Sequence, residues 1–560
     1  MPAPLRVRWL GRVPYREALA VQTALFEHGV EQHLLLLEHP HVFTHGRRAD
    51  LEHNLRCVPE AVGADLVPVD RGGDITYHGP GQLVGYPIVN VGSRFSAAEH
   101  VHGIEQVVID ALADLGLPGA GRLRQYPGVW IEPDSPLPRK IGAIGVRLAN
   151  GRTMHGLALN VHTDMTYLRD HIVPCGIGDL PVTSLAEEGI EVTMREVADA
   201  VAARAAVRWG PPSVGGIGAA VERQDVAWRH RPGDLTPFSR GEGPGEPVRL
   251  VSRMVAAGVT EGLSIEDRKP DWLRPKVHHG PEVLALKRTI RDLDLVTVCE
   301  DAGCPNLSDC WSDGTATFMV LGERCTRACG FCLVDTRRPA APDHDEAHRV
   351  ADAVERMGLE HAVLTMVARD DLADGGMAHV ASCVGAIRDR RPGARVETLI
   401  SDAKGDATAL DLLFAVRPDV LNHNIETVAR LQRAVRPSAG YARSLSVLAR
   451  AKAAGLVTKS SLMVGLGETD AEVIGCLADL AGIGTDIVTI GQYLRPTSNH
   501  APVARWVDPA EFERWKRLGE SLGIGHVEAS PLTRSSYHAK QAAEQVTPVD
   551  TPVDVTLRPH

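Results

Sequence analysis

Short apolar runs alternate with amphipathic stretches through about the first two hundred residues. The runs HLLLLEH and QLVGYPIVNV are predicted to form strands, and Leu34 to Leu37, between charged and polar neighbours, is predicted to be buried. Apolar residues recur at helical spacing in AEHVHGIEQVVIDALADLG and TMREVADAVAARAAV. The pattern indicates a domain of mixed helices and strands, which we predict over residues 1–209.

The chain changes character after Val207. The segment WGPPSVGGIGAAVERQDVAWRHRPGDLTPFSRGEGPGEP is dense in glycine and proline and shows little periodicity. Such a composition buries little core. We therefore predict a linker, or a loosely ordered surface strap, over residues 210–262.

A regular alternation of strands and helices begins near Leu263. The predicted strands are TFMVLG, HAVLTMV, VETLI, DVLNHNI, TKSSLMVGL and DIVTIGQYL, and the helices between them include EAHRVADAVERMG and AEVIGCLADLAGIG. Repeated strand–helix units favour a parallel barrel or partial barrel. We predict this second domain over residues 263–545, followed by a tail over residues 546–560.

Length and charge narrow the possible functions. A chain of 560 residues exceeds what one core usually organises. The net charge of -11 argues against a general binder of nucleic acid or membrane surfaces, although an acidic carrier protein could still bind a local basic patch. No apolar run approaches the roughly 18 residues that span a bilayer. We expect no leader either, because the N-terminus lacks an apolar signal core and Tyr15 already begins a motif, YREALAVQ.

Cysteine usage indicates a metal site in a reducing cytoplasm. Six of the ten cysteines lie between Cys299 and Cys332, and a long chain without a secretion signal is an unusual place for a disulfide framework. Cys57, Cys383 and Cys476 have no motif around them, and we predict that they are core residues.

A first candidate site combines one cysteine, one lysine and several glycine-rich segments. These segments are RGGDITYHGPGQ (71–82), KIGAIGVR (140–147), HGLALN (155–160) and IVPCGI (172–177). A cysteine becomes a nucleophile as the thiolate, and Lys140 is the natural cation to favour that form of Cys175. Such a pair suits acyl transfer through a thioester. The alternative is that Cys175 is a small buried hydrophobic residue.

A second candidate site is CTRACGFC (325–332), with the spacing C-x3-C-x2-C. Three thiolates leave one iron of a four-iron cluster without a protein ligand, so that iron can chelate a small molecule. Zinc is the structural alternative, but it prefers four ligands in one tetrahedral set and the pattern offers three. Just upstream, Cys299, Cys304 and Cys310 form a C-x4-C-x5-C triplet that is also short of a ligand.

The N-terminal segments together resemble lipoate-protein octanoyltransferases, over nearly all of residues 5–200. The resemblance also includes LLLLEHPHVFTHGRRAD and VTSL at 182–185. It implies the α/β fold of biotin and lipoate protein ligases, with Cys175 as the acyl-carrying nucleophile and Lys140 favouring its thiolate and shuttling protons. For His78 the alternative is a purely structural role as a histidine in a loop. The acyl pocket that the resemblance implies comprises Arg71, Gly72, Gly73, Asp74, Ile75, Thr76, Tyr77, His78, Ala143, Ile144, Gly145, Gly156, Leu157 and Ala158.

The cysteine motifs resemble the radical S-adenosylmethionine superfamily and, taken as a pair, lipoyl synthases over about residues 263–541. Further matches are RKPDWLRP, ARDDLADGG, NHNIE, MVGLGET, GQYLRP and RSSYHA. The resemblance implies two [4Fe-4S] clusters, one that cleaves S-adenosylmethionine and one that is consumed as the sulfur donor. The implied ligands of the first are Cys325, Cys329 and Cys332. Those of the second are Cys299, Cys304, Cys310 and Ser536, with Ser535 as the fallback.

Two stretches depart from the lipoyl synthase pattern. Met366 stands where a small hydroxyl residue is usual, and Ser401, Ala403 and Lys404 stand where a Pro-Asp-Phe is usual. Both stretches follow predicted strands and would face the mouth of a barrel. They put contacts to S-adenosylmethionine or substrate in question, but they remove no cluster ligand.

The two resemblances together imply consecutive catalysis. The first half would move octanoyl from octanoyl-acyl carrier protein to a lysine of a lipoyl domain, in 2-oxoacid dehydrogenase subunits or the glycine cleavage H protein. The second half would insert two sulfur atoms, with an electron donor such as ferredoxin or flavodoxin, and no nucleic acid or membrane partner is expected. Two alternatives remain. One half could be only a binding platform, or the cysteine-rich region could be a zinc-stabilised interaction module.

Overall fold

The computed structural model describes residues 4–92, 96–211, 221–228, 248–274 and 314–546, with scattered positions between residues 288 and 310. The chain forms two compact units. Unit 1 comprises Met1–Leu235, Val428–Ala449 and Glu468–Gly484, and unit 2 comprises Thr236–Thr427, Arg450–Gly467 and Thr485–His560. None of the described helices is long and apolar enough to cross a bilayer.

The N-terminal part of unit 1 is built on two sheets. Its strands are β1 Leu5–Arg12, β2 His33–Glu38, β3 Val42–His45, β4 Asp65–Pro68, β5 Thr76–His78, β6 Gln82–Ile88, β7 Ala120–Gly121, β8 Val129–Ile131, β9 Arg139–Ala149, β10 Arg152–Asn160 and β11 Val221–Asp225. Its helices are α1 Tyr15–Glu27, α2 Leu51–Asn54, α3 Ala97–Asp114, α4 Thr166–Arg169 and α5 Met194–Trp209. Short 3-10 turns cover Pro59–Val62 and Pro174–Gly176.

The larger sheet has the strand order β11-β1-β2-β6-β10-β9-β8-β7, and β4-β3-β5 form a smaller sheet. Strand β1 pairs in parallel with β2 and β11, whereas β6, β10 and β9 pair antiparallel, so the large sheet is mixed. Helices α3 and α5 pack against it through a hydrophobic core that includes Leu36, Ile104, Leu159 and Val201. Both helices begin at a capping box, Ser96 with Glu99 and Thr193 with Glu196.

The predicted N-terminal elements are present, and the structure adds order where a linker was predicted. Leu34 to Leu37 lie in β2 and are buried. Within residues 210–262, strand β11 pairs in parallel with β1, and a further helix, α6, covers Val248–Ala256. Residues 212–220 and 229–247 of the predicted linker lie outside the described residues, as do residues 547–560 of the predicted tail.

Unit 2 contains a second sheet whose strands follow the chain in order. They are β12 Val296–Thr297, β13 Thr315–Val320, β14 His361–Met366, β15 Arg395–Leu399, β16 Val420–Asn422, β17 Thr458–Val464, β18 Ile487–Gln492 and β19 His526–Ala529. The helices from residue 346 onward are α7 Glu346–Arg356, α8 Met377–Arg390, α9 Ala407–Ala415, α10 Gln432–Val435, α11 Tyr441–Ala453, α12 Asp470–Gly482, α13 Pro509–Ser521 and α14 Ala539–Val546. Of these, α10, α12 and most of α11 belong to unit 1. Further 3-10 turns cover Asp271–Leu273 and Ala403–Gly405.

Strands β13 to β19 are all parallel, and β12 adds antiparallel to β13. Among the described strands β19 does not pair with β12, so the barrel is partial, as the alternation of strands and helices predicted. The carboxyl ends of parallel strands meet at one face, where the loops of such barrels carry the reactive groups.

The prediction that all three isolated cysteines are core residues is correct for two of them. Cys383 and Cys476 are fully buried in helices α8 and α12. Cys57 is only partly buried, at the margin of a small hydrophobic cluster around Phe43 and Tyr77. The absence of a motif around a cysteine therefore did not predict whether it is fully or only partly buried.

An ion pair lies inside the partial barrel. Lys459 Nζ is 3.0 Å from Glu397 Oε1, and both side chains are inaccessible to solvent. Asn422 Nδ2 donates to the same carboxylate at 2.8 Å. Burial alone would raise the pKa of Glu397, but Lys459, followed by His361 and Asn422, outweighs burial and lowers that pKa to about 2.

We expect Glu397→Gln to reduce the free energy of unfolding by about 3–5 kcal/mol, because the buried ammonium of Lys459 would lose its counter-charge. Urea denaturation of the full chain measures the change. Adding Lys459→Met to Glu397→Gln should restore most of the loss, since no unpaired charge then remains. The pair stabilises the fold fully above pH 4.5, the usual carboxyl pKa, and the stabilisation disappears as pH falls toward 2. Equal stability of the single variant and the wild type would contradict this role.

Candidate active sites

Cys175 lies at the centre of the 3-10 turn Pro174–Gly176, between α4 and α5. Its φ is +57°, in the left-handed region that is unfavourable for a residue with a side chain. Its backbone N–H donates to the carbonyl of Ile75 at 2.9 Å, which ties the turn to the start of β5. Strain of this kind persists where the surroundings impose it, and it is frequent at functional sites.

Lys140 is the second residue of β9 and is buried. Its Nζ donates to Cys175 Sγ at 3.4 Å and lies 5.3 Å from the centre of the Trp130 ring. Gly128 makes room for the lysine, because a Cβ at that position would lie 2.8 Å from Lys140 Cε. The structure thus brings together the cysteine and lysine that the sequence proposed as a pair.

A cavity of about 150 Å³ opens beside this pair. Twelve of the predicted pocket residues line it. They are Arg71, Gly72, Gly73, Asp74, Thr76, His78, Ala143, Ile144, Gly145, Gly156, Leu157 and Ala158. Ile75 and Tyr77 belong instead to the hydrophobic cluster around Phe43, because alternate residues of an extended segment face opposite sides. The sequence did not single out Tyr15, Tyr86, Tyr126, Pro127, His155 or Ile177 as lining residues.

Arg71 brings a second cation to the cavity. Its side chain is held by backbone carbonyls, with Nη2 donating to Thr44 O at 2.7 Å and Nη1 to Asp74 O at 2.9 Å. Burial lowers the pKa of Arg71, and nearby groups, among them Cys175, oppose that effect. The guanidinium therefore has a fixed position in the cavity that Cys175 also lines.

Two histidines of the cavity are buried and differently held. His78 ends strand β5, and its Nδ1 lies 2.8 Å from Gln82 Oε1. Burial lowers its pKa well below the usual value, so the ring is neutral. His155 has a φ of +62°, and its Nε2 lies 2.8 Å from Asp70 Oδ1. Burial likewise lowers the pKa of His155, with Asp70 opposing it.

The three cysteines of CTRACGFC lie in the loop that follows β13. The N–H of Cys325 donates to Asp335 O at 2.8 Å, and the N–H of Thr326 donates to Ala368 O at 2.9 Å. Arg327 donates twice to the Asp370 carboxylate at 2.8 Å and once to Asp402 Oδ1 at 2.6 Å. Asp370 and Asp402 follow β14 and β15, so these bonds tie the loop to the carboxyl ends of two parallel strands.

The donor set is of the kind that an iron–sulfur cluster takes, because three cysteine thiols lie on one loop and a four-iron cluster binds its cysteine ligands on separate irons. Burial raises the pKa of Cys325, and raises that of Cys332 to about 12, so thiolates at these positions need a cationic partner such as iron.

The second triplet is only partly described, since Cys299 and Cys304 lie outside the described residues. Cys310 is half-buried, and its N–H donates to Asn306 O at 3.0 Å. Asn306 Nδ2 donates to Leu532 O at 2.7 Å. Ser535 and Ser536 lie in the turns after β19, a few residues beyond Leu532, and are half-buried. One bond therefore connects the segment of Cys310 to the segment that carries the two serines.

The departures from the expected pattern lie at the same strand ends as the cysteine loop. Met366 is the last residue of β14, and Ser401 follows β15. Lys404 has a φ of +56°, and its Nζ donates to Asp370 O at 2.7 Å. Ala403 is buried. Lys404 thus donates to the backbone oxygen of the same aspartate whose carboxylate accepts from Arg327.

Comparison with known proteins finds two family matches and close relatives. Residues 14–206 match the lipoyl protein ligase A/B catalytic domain, and residues 319–480 match the radical SAM superfamily. Over 278 residues the chain is 54% identical to the lipoyl synthase of Rubrobacter xylanophilus, covering 49% of this chain and 87% of that protein. The lipoyl synthase of Chlorobaculum parvum is 53% identical over 275 residues, 49% of this chain and 94% of that protein.

Among solved structures, a bi-partite lipoate protein ligase from Thermoplasma acidophilum is similar to this chain. The TM-score is 0.32 at 20% sequence identity, over 37% of this chain and 84% of that one.

We expect Lys140→Ala to move the pH midpoint of Cys175 alkylation upward, because a neighbouring cation favours the thiolate. Mass spectrometry of the Cys175 peptide after iodoacetamide treatment measures the rate at each pH. Lys140→Arg is the matched control. It keeps the charge, so alkylation should stay close to wild type, but a guanidinium does not release its proton and acyl transfer should fall. An unchanged midpoint in Lys140→Ala would remove the lysine from the pair.

Proposed function

Because this chain belongs to the lipoyl synthase family and joins to it a lipoyl protein ligase A/B catalytic domain, we propose that it builds protein-bound lipoyl groups in two consecutive steps. It is a bifunctional enzyme of protein lipoylation, and both family resemblances expected from the sequence are confirmed. We assign the octanoyltransferase to residues 1–209 and the lipoyl synthase to residues 263–545, with residues 210–262 between them.

The first proposed step transfers octanoyl through Cys175. The thiolate attacks the carbonyl carbon of octanoyl-acyl carrier protein, the carrier thiol leaves, and an octanoyl thioester forms on Sγ. Lys140, 3.4 Å from that sulfur, gives a proton to the leaving thiol. The amine of a lipoyl-domain lysine then attacks the thioester, Lys140 takes its proton, and the amide forms while Cys175 is released.

The contact between Lys140 Nζ and Cys175 Sγ, at the edge of the cavity, is the observation that carries this step. The second candidate is a ligase that activates a free fatty acid with ATP, in keeping with the family name. Such a ligase has no need of a thiolate paired with an ammonium. Two reactions distinguish the candidates. In each, the enzyme and a lipoyl domain are incubated with one acyl source, which is either octanoate plus ATP or octanoyl carrier protein. We expect amide product only from the carrier protein.

The second proposed step inserts two sulfur atoms into the bound octanoyl chain. Cys325, Cys329 and Cys332 would hold a [4Fe-4S] cluster that, with S-adenosylmethionine, supplies a 5′-deoxyadenosyl radical. Cys299, Cys304, Cys310 and Ser536 would hold a second cluster, whose sulfide is the source of the inserted atoms. Arg327 keeps the first three cysteines against the strand ends through Asp370 and Asp402.

Lipoyl-domain proteins are the acceptors, in line with the ligase and synthase relatives. We propose octanoyl-acyl carrier protein as the donor and an electron donor such as ferredoxin or flavodoxin, in a reducing cytoplasm that keeps the cysteines as thiols. A shared acceptor would benefit from fusion, because two linked sites raise the effective concentration of each for the same protein. Anaerobic mass spectrometry of a lipoyl domain incubated with octanoyl carrier protein, S-adenosylmethionine and reductant tests the whole sequence.

We expect Cys175→Ala to abolish octanoyl transfer and to leave sulfur insertion into a pre-octanoylated domain intact, because the two cysteine sites belong to different units. The two activities are measured separately by mass spectrometry of the lipoyl domain. Cys57→Ala is the matched control and should retain both. Loss of both activities in a folded Cys175→Ala protein would refute independent sites.

We expect Cys329→Ala to eliminate cleavage of S-adenosylmethionine, and Cys304→Ala to spare cleavage while eliminating sulfur insertion. The physical reason is the division of labour between a cluster with an open iron and a sulfur-donating cluster. One reaction is assayed for 5′-deoxyadenosine and for lipoyl product, and bound iron is determined for each variant. Loss of deoxyadenosine in Cys304→Ala, with iron still bound at the other triplet, would overturn the assignment of two clusters.

A further inference from the structure

The backbone of Lys140 is held by a short segment, residues 181–183, that is not part of a named strand. The N–H of Lys140 donates to Pro181 O at 2.8 Å, and the N–H of Thr183 donates to Lys140 O at 2.9 Å. Lys140 and Val182 thus form an isolated parallel bridge. The register of the lysine at the start of β9 depends on where this segment lies.

Asn160, the last residue of β10, holds that segment in place. Its Nδ2 donates to Thr183 O at 2.9 Å, and its own backbone oxygen accepts from the N–H of Leu185 at 3.0 Å. The side chain is buried, 6% exposed, so water does not replace these bonds. If the oxygen of the same amide also has a hydrogen-bond partner, the Asn160 side chain is held in one orientation.

The other end of the Asn160 amide connects, through Gln82, to His78 at the end of β5. Asn160 Oδ1 accepts from Gln82 Nε2 at 3.0 Å, and the same Nε2 donates to Tyr77 O at 3.1 Å. Gln82 Oε1 lies 2.8 Å from His78 Nδ1, so both the nitrogen and the oxygen of the Gln82 side-chain amide have hydrogen-bond partners. The donors and acceptors are consistent along the whole chain of bonds, so the network has a single arrangement.

This network lies beside the reactive pair. A small cavity of about 20 Å³ is lined by Gln82, Asn160 and Val182 together with Lys140 and Cys175. A movement of Asn160 is therefore transmitted over a short path to the lysine. Displacements of about 1 Å at a reacting group cost on the order of 100-fold in rate.

We propose that Asn160, supported by Gln82, is a positioning residue that keeps Lys140 Nζ within hydrogen-bond distance of Cys175 Sγ. The inference rests on the proposed pairing of Lys140 with Cys175. Asparagine suits the position because it donates to Thr183 O and accepts from Gln82 at once. An aspartate would place a carboxylate oxygen against the Thr183 carbonyl, two acceptors facing each other in a buried place.

The test compares Asn160→Asp with the wild type by the pH profile of Cys175 alkylation, followed by mass spectrometry of its peptide. We expect the midpoint to move upward toward that of Lys140→Ala, and octanoyl transfer to fall on the order of 100-fold. Asn160→Leu breaks the same two bonds without adding a carboxylate that would itself disfavour the thiolate, and it should move the midpoint in the same direction. The other titratable groups of the cavity are unchanged in these variants: Tyr15, Arg71, Asp74, His78, Tyr86, Tyr126 and His155.

Thr153→Val is the matched control. Thr153 is also buried on β10, and its hydroxyl donates to Pro87 O at 2.8 Å, at the end of the strand remote from Asn160. It should leave the alkylation profile at the wild-type midpoint. Gln82→Met is the second variant, for the case in which Asn160→Asp does not fold, and a smaller upward shift is expected from it.

A wild-type profile in folded Asn160→Asp, while Lys140→Ala shifts, would overturn the positioning role and leave the reactive pair intact. A wild-type profile in Lys140→Ala would overturn the pair itself, and the positioning role with it. A shift in Thr153→Val as large as in Asn160→Asp would also count against the proposal, since general damage to β10 would then explain both.

Discussion

A thiolate taken out of water needs a positive charge to replace its lost hydration, and both sites of this chain are organised around that requirement. In unit 1 the charge is the ammonium of Lys140, 3.4 Å from Cys175. In unit 2 the thiols of Cys325 and Cys332 are buried and their pKa values are raised, so a cationic cluster would supply it. The same physical constraint thus applies to the cysteine–lysine pair of one unit and to the cysteine motif of the other.

The cations in the two units differ in whether they can release a proton. Lys140 is the sole lysine in the first 262 residues of the sequence, where every other fixed side-chain cation is an arginine. A guanidinium holds its proton at any physiological pH, so it can bind an anion but does not shuttle protons. Arg327 fills the first role in unit 2, where it binds the carboxylates of Asp370 and Asp402. Lys140, by contrast, carries an amine that can release and take up a proton.

The candidate cysteines lie on irregular backbone, while the groups that contact their segments lie on or next to strands. Cys175 occupies a strained turn with a φ of +57°, and CTRACGFC is a loop after β13. The supports come from the start of β9, the end of β10 and the residues that follow β14 and β15. Loops place a side chain where the chemistry needs it, and a hydrogen-bonded sheet fixes that position.

The sequence by itself determined the two families and the partial barrel, and it singled out Cys175 and Lys140 as candidates, because motif spacing and apolar periodicity are local properties of the chain. It did not show that Ile75 and Tyr77 face away from the cavity, that Cys57 is only half-buried, or that part of the predicted linker forms strand β11. Only the tertiary structure decided that Gln82 and Asn160, 78 residues apart, share a hydrogen bond beside the reactive pair. Contacts between distant residues depend on how strands are ordered in a sheet, and a single sequence does not encode that order in its local pattern.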